Sequence, residues 1–354
     1  MRKTSDTQQL KGRLVLEDGT TFEGIAAGYP SSTSGEVVFN TGMVGYVESF
    51  TDPSYRGQIL VMTHPLIGNY GVPKKDFFES ERVHIQGLVV STLHTDAFHY
   101  EAKQSLERWL YVNKIPAIVN VDTRAITKKL REKGVMLGKI IIDNKNAGEF
   151  ADPHTTHLVS KVSCLIPQKY GKGGKKVIAI DCGIKMESIR NFTKRGIHIT
   201  RVPWDYNFLE EQYDGIFISN GPGDPTQCAQ TIQNIQSAMA KKIPIFGICL
   251  GMQLMALADG AKTYKLLYGH RSQNQPVREV GTPRSYITSQ NHGFAVDERT
   301  LPKEWHAWFM NMNDGTLEGI RHKKHPWLAV QFHPEAAPGP HDTEWLFDEF
   351  IKLL

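Results

Sequence analysis

Residues 243–258 read IPIFGICLGMQLMALA, and this stretch decides the fold of the second half of the chain. The apolar run 243–246 predicts a short strand, and the pattern over 252–258 predicts a helix. Between them lies Gly-Ile-Cys-Leu-Gly at 247–251, which is typical of a nucleophile elbow with a thiol at its tip. The amides and positive dipole end at the start of the helix favour the nucleophilic thiolate of Cys249. The alternative is a structural cysteine, since most free cysteines are small buried hydrophobes.

Strands and helices alternate on both sides of this elbow. Such alternation is typical of a parallel sheet with helices on both faces. The sequence therefore predicts an α/β fold whose C-terminal domain is a doubly wound, mostly parallel sheet. Ligands of these sheets bind where strands end, and here two such ends carry glycine-rich turns, 219–225 and the Cys249 elbow. The predicted strands are 177–180, 197–202 and 215–218, and the predicted helices are 187–195 and 231–241.

The first half differs from the second in its pattern of apolar runs and turns, and this pattern predicts a mixed β/α domain. An Asp-Gly turn at 18–19 predicts a hairpin, and helices are predicted over 101–113 and 123–133. A Gly- and Lys-rich tract at 168–176 without apolar periodicity predicts a linker. The predicted domains are therefore 1–167 and 177–354.

Composition excludes several classes of function. A net charge of +4 with no dense basic tract gives no sign of nucleic-acid binding. The four cysteines form no CxxC pair, so we expect no metal site and a reducing compartment. The polar N-terminus lacks an apolar leader core, and no stretch is long and apolar enough to span a membrane. We expect a cytoplasmic protein that makes no membrane contact.

A second motif supplies the base that a thiol nucleophile needs. His333 and Glu335 follow the apolar run 327–330, and residues two apart in an extended backbone point to the same side. They complete a candidate catalytic triad with Cys249. Taken alone, this His-x-Glu would more often be a surface pair.

The turn after residue 218 offers an oxyanion donor. Glycine-rich turns expose backbone N–H groups in concave nests, so Gly221 and Leu250 together could form an oxyanion hole. A plain β-turn is the alternative for Asn-Gly-Pro-Gly at 220–223.

Three motifs in this order, Asn-Gly-Pro-Gly-Asp-Pro, Gly-Ile-Cys-Leu-Gly and His-Pro-Glu, resemble the class I glutamine amidotransferase domain. The chain as a whole, from about Gly12 to its end, is similar to the carbamoyl phosphate synthetase small-chain family. The first-half segments that carry this likeness are 35–41, 45–46, 51–55, 68–69 and 122–124, and the second-half segments are 290–296 and 338–340.

The resemblance implies a glutaminase that passes ammonia to a separate or fused large synthetase chain. Cys249 would attack glutamine, His333 would move the proton, and Glu335 would hold the imidazole. Leu250 and Gly221 would stabilise the oxyanion. The glutamine contacts that the family implies are Ser54, Gly221, Gly223, Leu250, Gln253, Asn291, Gly293 and Phe294.

Two features limit what this chain does by itself. It has no phosphate-binding Gly-x-x-x-x-Gly-Lys-Ser/Thr motif, so no cofactor is expected here, and ATP and Mg²⁺ are expected in the large chain. Met252 also stands where the family commonly has histidine, a departure that leaves the triad untouched. The open alternatives are an amidotransferase that serves another acceptor and a non-catalytic regulatory scaffold.

Overall fold

The chain divides into two structural units, and the division is not a single cut in the sequence. The computed structural model describes residues 10–354, so the polar segment 1–9, in which no leader is predicted, lies outside the described residues. The first unit runs to Met43 and adds Gly57–Phe77 and Ile85–Pro153. The second unit consists of Val44–Arg56, Phe78–His84 and His154–Leu354.

Helices and strands follow one another in the order that the sequence pattern predicts for most of the chain. The helices are α1 (Tyr46–Thr51), α2 (Leu106–Val112), α3 (Thr123–Lys133), α4 (Met186–Lys194), α5 (Ala229–Met239), α6 (Leu250–Ala258) and α7 (Trp345–Ile351). The strands of the first unit are β1 (Lys11–Leu16), β2 (Thr21–Gly28), β3 (Thr33–Asn40), β4 (Gln58–Met62), β5 (Gly87–Val90), β6 (Pro116–Val119) and β7 (Met136–Ile142). Those of the second are β8 (Gln168–Tyr170), β9 (Lys176–Asp181), β10 (His198–Pro203), β11 (Gly215–Ile218), β12 (Ile245–Ile248), β13 (Thr263–Glu279), β14 (Ser285–Val296), β15 (Trp305–Asn311), β16 (Leu317–His322) and β17 (Trp327–Val330).

The first unit is a closed barrel with strand order β1-β2-β6-β5-β4-β3-β7. Its opening hairpin turns at Gly19, whose φ of 85° suits glycine, and the predicted hairpin is confirmed. Helix α3 has the predicted bounds because Asp122 caps its first turn through Ala125 N and Gly134 ends it. Helix α2 begins later than predicted, since Ser105 is its N-cap.

The second unit contains one ten-stranded sheet, ordered β14-β13-β15-β16-β17-β12-β11-β9-β10-β8. The strands β10, β9, β11, β12 and β17 pair in parallel, and antiparallel strands extend this core on both sides. The α/β fold with a doubly wound parallel core is confirmed. The long antiparallel ribbon of β13 and β14 carries the polar segment 290–296 and was not predicted as strands.

Side chains of the parallel strands alternate between two apolar layers, which places helices on both faces. Ile178 and Ile216 pack with residues of α5 and α6 in one layer. Val177 and Phe217 pack with residues of α4 and α7 in the other. The carboxyl ends of β11, β12 and β17 are therefore held by two cores.

The predicted linker 168–176 contains β8, which pairs antiparallel with β10 as an edge of the sheet. The boundary between units instead falls at Pro153, and two short segments of the first half join the second unit. The glycines of this tract, Gly171, Gly173 and Gly174, have positive φ, which suits glycine in turns. Within residues 10–354, no helix is both long and apolar enough to cross a membrane.

Candidate active site

Cys249 occupies a sharp turn between β12 and α6. Its φ of 54° and ψ of −107° are unusual for a residue with a side chain, so the turn is strained. A Cβ at Gly251 would lie 2.2 Å from Ile218 O, and one at Gly247 would lie 2.7 Å from Met255 Sδ. Both glycines are therefore required by close packing, and the predicted strand-turn-helix elbow is confirmed.

His333 lies just beyond β17, the strand next to β12. Its N–H donates to Ser289 O at 2.9 Å, which ties it to β14. Its Nδ1 lies 2.7 Å from Glu335 Oε1, and its Nε2 has no hydrogen-bond partner of ordinary geometry. The Cys249 thiol lies near enough to help raise the pKa of this ring. The structure thus brings all three predicted triad residues together.

Charge inside this buried triad is balanced by ion pairing. Burial lowers the pKa of His333, but the Glu335 carboxylate and the contact with Cys249 outweigh it and raise that pKa to about 10. Burial raises the pKa of Glu335, but the charges of Lys185 and His333 outweigh it and lower that pKa to about 2. The carboxylate therefore favours an imidazolium beside the cysteine.

Lys185 is part of this charge arrangement and was not predicted from the sequence. It precedes α4, its Nζ lies 3.4 Å from Glu335 Oε1, and it also donates to Ala336 O. Burial lowers the pKa of Lys185, but the carboxylates of Glu335, Glu79 and Asp52 produce a net rise. No local pattern distinguishes this lysine, because its partner lies 150 residues further along the chain.

Asp52 is a second residue that the sequence did not single out, although it lies in the quoted segment 51–55. Its Oδ1 accepts from Ser54 N at 2.9 Å, and its Oδ2 accepts from Asn291 Nδ2 at 3.1 Å. Asn220 Nδ2 donates to Ser54 Oγ at 3.0 Å. Asp52 therefore connects Ser54 to two predicted motifs within the second unit, and its Asp-Pro-Ser cap was the available signal.

The remaining predicted glutamine contacts lie on elements around the elbow. Asn291 O is 3.8 Å from Cys249 Sγ, and Gln253 Nε2 donates to Phe294 O at 2.9 Å. Leu250 is the first residue of α6, where amides lack an acceptor within the helix. A Cβ at Gly221 would lie 2.1 Å from Cys182 O, and Gly293 lies beside the Arg271 guanidinium. Gly223 has a φ of 92° and packs against Leu158.

Met252, where the family commonly has histidine, is fully buried. It packs in the apolar layer with Leu254, Val296 and residues of α5. Its side chain is thus part of the core that supports the elbow, and the buried base of the site is His333.

Two family models match the chain. Residues 178–353 match "Glutamine amidotransferase class-I", and residues 14–140 match "Carbamoyl-phosphate synthase small chain, CPSase domain". Together they cover both predicted halves.

Named relatives agree with these models. The chain is 49% identical to the "Multifunctional protein CAD" of Squalus acanthias, over 96% of this chain and 16% of that protein. It is 47% identical to the mitochondrial "Carbamoyl-phosphate synthase [ammonia]" of Homo sapiens, over 96% of this chain and 23% of that protein. The chain thus spans less than a quarter of the length of these relatives. A glutamine amidotransferase structure from Thermotoga maritima aligns with a TM-score of 0.38 and 23% identity, over 46% of this chain and 77% of that one.

Proposed function

Because the chain belongs to the carbamoyl-phosphate synthase small-chain family and carries a class-I glutamine amidotransferase domain, we propose that it hydrolyses glutamine to glutamate and ammonia. The observation that carries the proposal is the buried Cys249-His333-Glu335 triad on a strained elbow. A scaffold that had lost the reaction would have no need for that strain or for a buried ion pair.

The reaction begins at the glutamine side-chain amide. With the thiol proton already held on the His333 imidazolium, Cys249 Sγ adds to the amide carbon. The resulting oxyanion is stabilised by the N–H groups of Leu250 and Gly221, each of which is worth ~10²–10³ in rate at such sites. The C–N bond then breaks, and the nitrogen leaves as ammonia with the proton from His333. Water hydrolyses the thioester to glutamate and regenerates the thiol.

Glutamine would be held by residues around the elbow. Asp52 orients Ser54 and Asn291, and Gln253 supports the backbone of Phe294. Gly221 brings its backbone close to Cys182 and Leu250, and we propose that the backbone N–H groups of this turn face the substrate. Polar groups on several strand ends then converge on a small amide substrate.

The ammonia would be used by a large synthetase chain, which makes carbamoyl phosphate from bicarbonate with ATP and Mg²⁺. The match to the small-chain model over 14–140 supports this partner over another acceptor. No cofactor is proposed for glutamine hydrolysis by this chain. The cytoplasmic location and the pathway, pyrimidine or arginine synthesis, stay predictions, since relatives include a protein named mitochondrial.

The name of the human relative specifies ammonia and not glutamine as the nitrogen source. A non-catalytic role of this chain is therefore the second candidate. The test is glutamate release from glutamine by the full chain, alone and with a large synthetase chain. Cys249→Ser should abolish release, while ammonia-dependent carbamoyl phosphate synthesis by the complex should persist. Cys164→Ser is the matched control, since Cys164 is also a free thiol, and it should keep the wild-type rate.

Trapping of the covalent intermediate is a second test of the reaction. The wild-type chain should accumulate a covalent glutamyl adduct at Cys249, detected by mass spectrometry after acid quenching. Absence of glutamate and of adduct in both settings would support the non-catalytic role instead.

A further inference from the structure

A second polar cluster lies in the antiparallel part of the large sheet. His270 on β13 pairs directly with His292 on β14, and their rings meet edge to face at 4.9 Å. Glu318, on β16, completes the group. One ligating atom from each residue lies within 4.8 Å of the others, and all three residues are buried.

The distances suit a small transition-metal ion. Glu318 Oε1 is 3.3 Å from His270 Nδ1 and 4.0 Å from His292 Nε2. In a tetrahedral zinc site with bonds of about 2.0–2.2 Å, ligand atoms are roughly 3.3–3.5 Å apart. The first of these separations already matches that value, and the other pairs, which lie within 4.8 Å, would have to close by up to about 1.5 Å around one ion.

Each imidazole is also held by its other nitrogen. His270 Nε2 lies 2.8 Å from Asp314 Oδ2, and His292 Nδ1 lies 2.9 Å from Phe294 O. Histidine ligands of metals are almost always anchored in this way, by a carboxylate or a backbone carbonyl. The anchors leave His270 Nδ1 and His292 Nε2 facing Glu318.

Two polar atoms of the cluster lack a hydrogen-bond partner, whereas Glu318 Oε1 also accepts from Asn311 Nδ2 at 3.1 Å. Glu318 is fully buried, and neither its Oε2 nor His270 Nδ1 makes a hydrogen bond of proper geometry. His292 faces two acceptors, Phe294 O and Gln290 Oε1 at 3.1 Å, although a neutral imidazole has only one N–H.

We propose that His270, His292 and Glu318 bind one divalent transition-metal ion of the Zn²⁺ type. Two imidazoles and one carboxylate are a typical zinc donor set, with a fourth position for Gln290 Oε1 or water. The ion would crosslink β13, β14 and β16. Because Asn291 and Phe294 flank His292, it would also stiffen the strand that carries the proposed glutamine contacts. The site stands independently of whether the chain hydrolyses glutamine.

The test measures Zn²⁺ alone on the full-length chain. Chelator-treated protein with Cys249→Ser, which removes the thiol of the candidate active site, is dialysed against buffered Zn²⁺ and analysed for metal content. One equivalent per chain is expected. Glu318→Gln and His270→Asn should each weaken binding by at least about tenfold, and Asp314→Asn by about 10–100-fold. His325→Asn is the control, because it removes a histidine from the separate His322–His325 pair and should leave affinity unchanged.

Substitution with Co²⁺ gives a second readout. The parent protein should show visible absorption bands of a four-coordinate Co²⁺ site, and Glu318→Gln should lose them. Absence of bound Zn²⁺ in the parent would show that the cluster is an internal ion pair of His270 and would overturn the proposal. Unchanged affinity in Glu318→Gln would also overturn it. If circular dichroism shows that Glu318→Gln does not fold, Asp314→Asn decides, and unchanged affinity in that variant counts against the site.

Discussion

Lys185 Nζ lies 3.4 Å from Glu335 Oε1, and their side chains are 3% and 0% exposed. Two opposite charges are thus buried together directly behind His333. Removal of one partner leaves the other charge uncompensated in a medium of low polarity.

We therefore predict that Lys185→Met destabilises the chain by about 3–5 kcal/mol. The loss of the ammonium should also raise the pKa of Glu335, because Lys185 is the largest charge that lowers it. Urea unfolding measures the first effect, and the acid limb of the glutaminase pH profile, shifted to higher pH, measures the second.

Lys194→Met is the matched control: its ion pair with Glu344 is about half exposed on the lysine side, so its cost should be below about 1 kcal/mol. An equal effect of the two substitutions would contradict this role for Lys185.

A second prediction concerns the pH dependence of stability. The pKa of His333 is raised to about 10 in the folded chain, against an ordinary value of 6.5. The folded state therefore binds a proton more tightly, and this stabilisation is complete below pH 6.5 and lost as pH rises towards 10. The free energy of unfolding should fall across that window, at about 1.4 kcal/mol per pKa unit of difference.

Glu335→Gln tests the cause of that slope. Without the carboxylate, the pKa of His333 should return towards its ordinary value, and the decline between pH 6.5 and 10 should flatten. Urea unfolding at three pH values measures it, with a histidine NMR titration as a direct check. Glu349→Gln, which removes a carboxylate from a surface pair with Lys352, should keep the wild-type slope. A slope that persists in Glu335→Gln would assign the effect to another group.

The sequence predicts well the parts of the site that local geometry encodes. The elbow can be predicted because a strained turn needs glycine at 247 and 251. His333 can be predicted as the base because it follows a strand and is itself followed by Pro334 and Glu335. Lys185 could not be found in this way, and the Asp-Pro-Ser cap marks Asp52 only as a local turn residue. Their roles depend on contacts with residues more than 100 positions away, which only the folded sheet creates.

The same distinction applies to the fold. Parallel strands buried on both faces are continuous apolar runs, so β9, β11 and β12 were predicted. The strands β13 and β14 are polar and partly exposed, and they lack that signal. The cross-strand pairing of His270 with His292 could therefore not be predicted from the sequence.

A third prediction separates packing from substrate contact. Gly251→Ala would place a Cβ 2.2 Å from Ile218 O, a backbone atom that cannot move without shifting β11. We expect a cost of about 1–3 kcal/mol or more and a displaced Cys249. Gly293→Ala meets only the end of the flexible Arg271 side chain, at 3.1 Å, so the fold should persist. Its effect should be a raised KM for glutamine. Thermal unfolding and steady-state kinetics on both variants distinguish the two, and equal stability losses would show that the contrast is wrong.

The last prediction concerns Met252, the residue at which the chain departs from its family. Its side chain is fully buried among apolar residues of the layer that includes α5 and α6. Met252→Leu should cost less than about 1.5 kcal/mol, since the volume is conserved. Met252→His should cost more, about 1–3 kcal/mol, because the imidazole would need a hydrogen-bond partner in an apolar layer.

Neither should change kcat for glutamine hydrolysis at a temperature where both variants are folded, because His333 already lies against Cys249. Urea unfolding and kcat measured on the same preparations test this. A kcat that rises several-fold in Met252→His, with the pH profile displaced, would show instead that a histidine at this position assists the reaction and that Met252 limits it.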